Sequence, residues 1–231
     1  MVDENHAAFP AHRSSSSQSP SPAARSSALA SVRAKQSTTR VGDDALLDAA
    51  RQCVLAVGLR RVTLAEIART ARVSRMTLYR RFPDVRSILA ALMTRQFGLV
   101  LEKAGAEGAT ALTARERLTR SAVTAVRLLN ADPLMRSVLD RDSEVLLPYV
   151  VERLGGTQRL GEQEIRALLE AGRAEGSIRD GEPAAQARSV LLVVQSFVLS
   201  LHAATADVDA AALLAELAHH LDAALRPERG G

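Results

Sequence analysis

Ser74 to Phe82 reads S-R-M-T-L-Y-R-R-F. These residues fix the fold reading because they suit a short helix with one buried position and a cationic exterior. Ser74 is a good N-cap, and Leu78 falls where it turns back on the preceding segment, leaving Arg75, Met76, Tyr79 and Arg80 outside. That preceding segment is itself helical in pattern. Leu64, Ile67, Ala68 and Ala71 recur at i, i+3, i+4 and i+7, one buried face. Thr63 opens the segment and Glu66 follows three positions later, the spacing of a capping box. With Arg72 and Val73 as the link, the whole reads as a helix-turn-helix over residues 63–82.

The residue types fit a DNA groove. A helix inserted by its N-terminal end presents its first residues to base edges. Arg75 and Met76 lead here: arginine bonds guanine bidentately, whereas methionine offers only apolar contact, for example to a thymine methyl. Ser74, Thr77 and the Tyr79 hydroxyl suit phosphate oxygens, which set register without reading sequence, and Arg80 suits either task.

In these motifs the chain resembles the TetR family of transcriptional regulators over roughly Asp43 to Phe97. The marks are G-x-x-x-x-T-x-x-x-I-A (Gly58, Thr63, Ile67, Ala68) and V-S-x-x-T-L-Y-x-x-F (Val73, Ser74, Thr77, Leu78, Tyr79, Phe82). The resemblance implies an all-α fold: an N-terminal three-helix DNA-binding domain with a connecting fourth helix, then a C-terminal helical domain for ligand binding and dimerisation. It implies that Arg75, Met76, Tyr79 and Arg80 face the major groove, and that Thr63, Ser74 and Thr77 bind phosphate. The chain departs from the family pattern twice. Arg72 stands where the turn commonly has Gly, so that turn must carry a side chain, at a cost if φ is positive. Val85 stands where a Lys often follows the recognition helix, removing one phosphate contact.

Charge is distributed accordingly. Residues 1–40 carry five basic and two acidic residues, residues 41–102 ten and six, and residues 103–231 fifteen and eighteen. The positive excess sits where DNA is expected, so binding should depend on salt. Because 28 of the 30 basic residues are Arg, no single Arg is a strong signal. The one cysteine, Cys53, excludes an internal disulfide framework and fits a reduced cytoplasm. No signal peptide or membrane span is indicated, since Val190 to Leu201 is interrupted by Gln195, Ser196 and Ser200. Residues 1–40 form a basic, Ser-rich tail expected to be disordered, with ten Ser between Ala11 and Arg40. Its acid-poor composition also resembles a transit peptide, and Arg33, Lys35 and Arg40 suit a basic arm along DNA.

The domains expected are therefore the tail, a DNA-binding domain over 41–102 and a regulatory domain over 103–231. A first helix is expected from about Asp43 to Val57, and a fourth from near Asp84 with Ile88, Leu89, Leu92, Met93 and Gln96 along one side. A break near Gly105 and Gly108 precedes helical patterns at Ala114 to Asn130, Leu134 to Asp140, Ser143 to Leu154 and Glu162 to Glu175. Gly176 is placed as a helix C′ residue and Pro183 starts the most apolar helix.

In regulators that resemble this one the last two helices pair with their copies. Val190, Val194, Val198 and Leu201, with Leu214, Leu217 and Leu221, are the expected homodimer interface, although an internal core explains the same periodicity. Two half-sites of a palindromic operator need two reading heads, which favours the dimer. A small-molecule effector is expected in a pocket among helices from about Ala114 to Ala204. Arg127, Gln195 and His202 are candidate polar contacts, and Tyr149 and Phe197 are the aromatics there.

Enzyme signatures are missing. The chain has no G-x-S-x-G elbow, G-x-x-x-x-G-K loop, G-x-G-x-x-G after a strand or H-E-x-x-H, so neither catalysis nor a cofactor is expected. His219 and His220 project about 100° apart on a helix, which disfavours a shared metal. The competing reading is a helical scaffold whose helix-turn-helix contacts protein instead of DNA; it would lack salt-dependent duplex binding.

Overall fold

The computed structural model describes residues 42–142, Glu144 and residues 155–228. From Asp44 onward the described residues belong to one compact unit. The expected tail, Tyr149 and most of the helix expected from Ser143 to Leu154 lie outside the described residues.

The described residues are all-α, in nine helices with no strand. Helix α1 covers residues 42–57, followed by α2 (Leu64–Thr70), α3 (Arg75–Arg81), α4 (Val85–Gly108), α5 (Ala114–Ala131) and α6 (Pro133–Arg141). Then come α7 (Gly156–Ala174), α8 (Pro183–Ala204) and α9 (Ala210–Leu225). Side-chain caps mark the starts: Thr63, Ser74, Asp84, Thr113, Asp132, Glu182 and Asp209 each accept a backbone N–H of the first turn. Pro133 and Pro183 occupy first-turn positions, where their missing N–H leaves no bond unmade.

Helices α1 to α3 enclose the first core. Val54 from α1, Ile67 from α2 and Leu78 from α3 are fully buried there with Ile88 and Leu92 of α4. Each such side chain contributes about 1.5–3 kcal/mol by leaving water. Leu134 of α6 completes this core from a distant part of the sequence.

A second core forms around α5, which packs on α4, α6, α7, α8 and α9. Leu118 and Val126 meet Leu169, Ile178, Val190, Leu201, Leu217, Leu221 and Leu225 in it. By length and composition α8 could cross a membrane. Its apolar side instead packs on α5 and α7 in this fold.

Helix α4 runs through residue 102 and through Gly105 and ends at Gly108, so one rod spans both cores. One expected boundary moves. Helix α7 begins at Gly156, six residues before the expected Glu162, because its first turn is capped by the Gln158 side chain at the Gly155 N–H.

Candidate nucleic-acid interface and helical cavity

The capping box at α2 is complete. Thr63 Oγ1 accepts from the Glu66 N–H at 3.2 Å, and Glu66 Oε2 accepts from the Thr63 N–H at 3.1 Å and from the Thr63 hydroxyl at 2.8 Å. The Thr63 proton is thus already committed to Glu66, which leaves its oxygen but not its donor for other contacts.

At the other end of α2, Val73 N–H donates to Ala68 O at 3.0 Å and Arg72 N–H to Arg69 O at 3.2 Å. These are the two bonds of a Schellman motif, and Arg72 takes the left-handed position with φ 55°. The turn forms with an arginine where glycine would be unstrained.

Ser74 Oγ accepts from the Thr77 N–H at 3.1 Å and lies 2.8 Å from Thr77 Oγ1, so one hydroxyl of the pair retains an outward proton. Buried Leu78 anchors α3 against α2 and leaves the opposite face in solvent. Met76 is 79% exposed and Tyr79 49%, both large for hydrophobic side chains, while Arg75 and Arg80 are exposed beside them. This face combines cations, hydroxyls and apolar contact without internal partners for its large hydrophobic groups.

Two helices join this head to the rest. Helix α4 turns Ile88 and Leu92 into the first core while Leu89, Met93, Phe97 and Leu101, spaced four apart, line a cavity of about 650 Å³. Helix α6 does the same on a smaller scale. Leu134 enters the head core, Met135 and Val138 line the cavity, and the buried carboxylate of Asp142 accepts the Leu59 N–H. Leu59, in the turn after α1, also lines the cavity. Arg51 of α1 approaches Asp132 at 3.8 Å, and Arg60 approaches Asp142 at 3.8 Å. The remaining walls come from α5, α7 and α8, and most lining side chains are aliphatic.

The family model described as "Bacterial regulatory proteins, tetR family" matches residues 46–92. An HTH-type transcriptional regulator of Mycobacterium bovis is 40% identical over 177 residues, 77% of this chain and 90% of its own. A regulator of Mycobacterium tuberculosis strain H37Rv matches to the same extent. The chain belongs to the TetR family. Among solved structures, the transcriptional repressor QsdR of R. erythropolis, itself of the TetR family, superposes with TM-score 0.58 at 14% identity, covering 83% of this chain and 100% of its own. FadR from Bacillus subtilis in complex with stearoyl-CoA gives TM-score 0.56 at 19% identity, covering 79% and 98%.

The regulatory residues expected from sequence fall in several places within this TetR-family fold. Gln195 lines the cavity. Arg127 does not; its guanidinium donates to Glu107 at 2.9 Å on the surface. His202 is exposed at the end of α8, and Phe197 packs against the second core. Among the described residues the aromatic lining the cavity is Phe97, from the connecting helix that the expected range of Ala114 to Ala204 left out. Its signal was present in the four-residue spacing of Leu89, Met93, Phe97 and Leu101.

Burial divides the residues expected at the interface. Val190, Leu201, Leu217 and Leu221 are buried in the chain's own core, and Val194, Val198 and Leu214 are half-buried against it. The first four present little surface to a second copy. The outward faces are Ser189, Leu192 and Ser196 on α8, with Ala211, Ala215 and His219 on α9. On that face His219 and His220 meet edge to face with ring centroids 6.3 Å apart, and His220 Nδ1 lies 2.7 Å from Glu216 O.

Proposed function

We propose that this chain is a ligand-responsive repressor that binds a palindromic double-stranded operator as a homodimer in the cytoplasm and catalyses no reaction. The observation that carries the reading is the sharing of α4 and α6 between the head core and the cavity. In this reading residues 1–40 are an appended tail, residues 41–102 read DNA, and residues 103–231 bind the effector and the second copy.

Arg75, Met76, Tyr79 and Arg80 enter the major groove, and Ser74, Thr77 and the Thr63 oxygen lie along the backbone. The Thr63 proton belongs to Glu66, so Ser74 and Thr77 make the donor contacts. Two heads occupy successive major grooves about one helical turn apart. An effector in the cavity favours a state whose head spacing no longer matches, and it acts only through differential affinity for the two states. The relative crystallised with stearoyl-CoA supports an aliphatic occupant for a cavity with this lining. Pairing of copies uses the outward faces of α8 and α9 around Leu192 and Ala215, since the inward faces are occupied.

The test is selection of bound duplexes from a random pool, run in parallel with the Arg75→Ala/Tyr79→Ala double variant. Enrichment of a palindrome that the variant loses is the expected result. No enrichment at low salt from folded protein would overturn the reading and favour the scaffold role.

A further inference from the structure

The polar end of the cavity is organised by two glutamines. The Gly155 N–H donates to Gln158 Oε1 at 2.6 Å, and Gln158 Nε2 donates to Gln195 Oε1 at 3.3 Å. A backbone amide only donates, so the Gln158 oxygen must face it, which turns the Gln158 amino group towards Gln195. Gln195 must answer with its oxygen. Its own amino group is then the atom left for the cavity, and no described group accepts from it.

Two of the other lining hydroxyls do not duplicate that role. Thr94 Oγ1 donates to Ala90 O at 2.8 Å and Ser121 Oγ to Ala104 O at 3.1 Å, each committing its proton to a helix carbonyl. Thr157, one residue before Gln158, adds a hydroxyl to the lining. The charged residues of the described lining, Arg86 and Glu164, are both exposed. Among the described residues a formal charge placed deep among the leucines would find no counter-ion, and it would lose its hydration.

We infer that the cavity binds an uncharged aliphatic molecule carrying a carbonyl-type acceptor oxygen, which the Gln195 amide N–H holds while Gln158 fixes the orientation of that amide. This rests on the reading of the cavity as the effector site and adds the ligand's chemistry to it.

Calorimetric titration of the full chain with 2-decanone, 1-decene and decylammonium tests it. Gln195→Leu should weaken 2-decanone about tenfold, the worth of one good hydrogen bond, and leave 1-decene unchanged. Gln195→Glu, nearly the same shape without the donor when ionised, should weaken the ketone similarly. Gln158→Leu, which frees the Gln195 amide to turn, should weaken it several-fold. Equal shifts for ketone and alkene in Gln195→Leu would overturn the inference while leaving an effector cavity in place. So would tighter binding of decylammonium than of 2-decanone. Failure of every probe to bind the unaltered protein would overturn the effector reading as well.

Discussion

The carboxylate of Asp142 accepts a hydrogen bond from the Leu59 backbone N–H at 2.8 Å, joining residues 83 positions apart. Leu59 leaves the left-handed Gly58, φ 83°, whose missing Cβ would stand 3.2 Å from the same carboxylate oxygen. The turn that ends α1 is therefore shaped to receive the end of α6. Arg60 closes the contact from outside, pairing with Asp142 and donating to Glu144.

Loss of that acceptor should cost stability. In Asp142→Ala the Leu59 N–H stays near its site without a partner, a penalty of about 1–3 kcal/mol. Asp142→Asn keeps an acceptor oxygen and should lose less. Urea titration reads both as shifts of midpoint with unchanged slope; an Ala variant as stable as the original protein would dismiss the contact as incidental.

Arg72→Gly should stabilise the protein. An L side chain in the left-handed region is strained by about 1–2 kcal/mol, part of which glycine returns as entropy of the unfolded chain. A net gain of roughly 0.5–1 kcal/mol is expected on that balance. Gly176 ends α7 with the same pair of hydrogen bonds at φ 74° and serves as the internal reference. A lower unfolding midpoint for Arg72→Gly would mean that the arginine makes contacts outweighing its strain.

Arg75→Ala should weaken operator binding by about 1–3 kcal/mol and relax preference at one base position, as removal of a bidentate base contact does. A uniform loss across all sequences, with a shallower salt dependence, would reassign Arg75 to phosphate.

The helix-turn-helix was legible because its signals are local. Thr63 and Glu66, Ser74 and Leu78 each act within one turn of their own helix, and Arg72 announces its strain by replacing a glycine. The half of the chain after α4 was legible only as helices. An apolar residue on α8 or α9 carries no mark telling whether it meets α5 or another molecule, which is why the periodicity of Val190 and Leu217 suited an interface and a core alike, and both lie in the core of the single chain. The α4 wall of the cavity, with Phe97, escaped for a related reason: α4 has two apolar faces, and one-dimensional periodicity merges Ile88 and Leu92 with Leu89 and Met93.

That distinction makes the dimer surface testable. Leu192 is 52% exposed in the single chain, so Leu192→Arg should barely change intrinsic folding while halving the mass measured by light scattering. Val190→Ala should instead lower stability by about 1–3 kcal/mol, leaving association unaffected. A dimer that survives Leu192→Arg would place the interface elsewhere.

Glu162 ties α7 to α8 and supplies a pH signature. Arg188 donates to both its oxygens, at 3.1 and 2.9 Å, and Arg166 donates to one at 3.1 Å. The Arg188 hydrogen bond is the main cause that holds the Glu162 carboxyl below its ordinary value of 4.5, against burial, which raises it. With the folded value lower than the unfolded one, the stabilisation is complete above the unfolded value and disappears as pH falls through the folded one. Glu175, Glu182 and Asp222 are lowered too and lose stabilisation in the same direction, so the whole protein's acid limb is not specific to one group. Subtraction isolates Glu162: the stability difference between the original protein and Glu162→Gln should be constant at neutral pH and shrink on acidification below 4.5. A difference that stays flat through the acid range would mean that the two arginines do not favour the ionised carboxylate in solution.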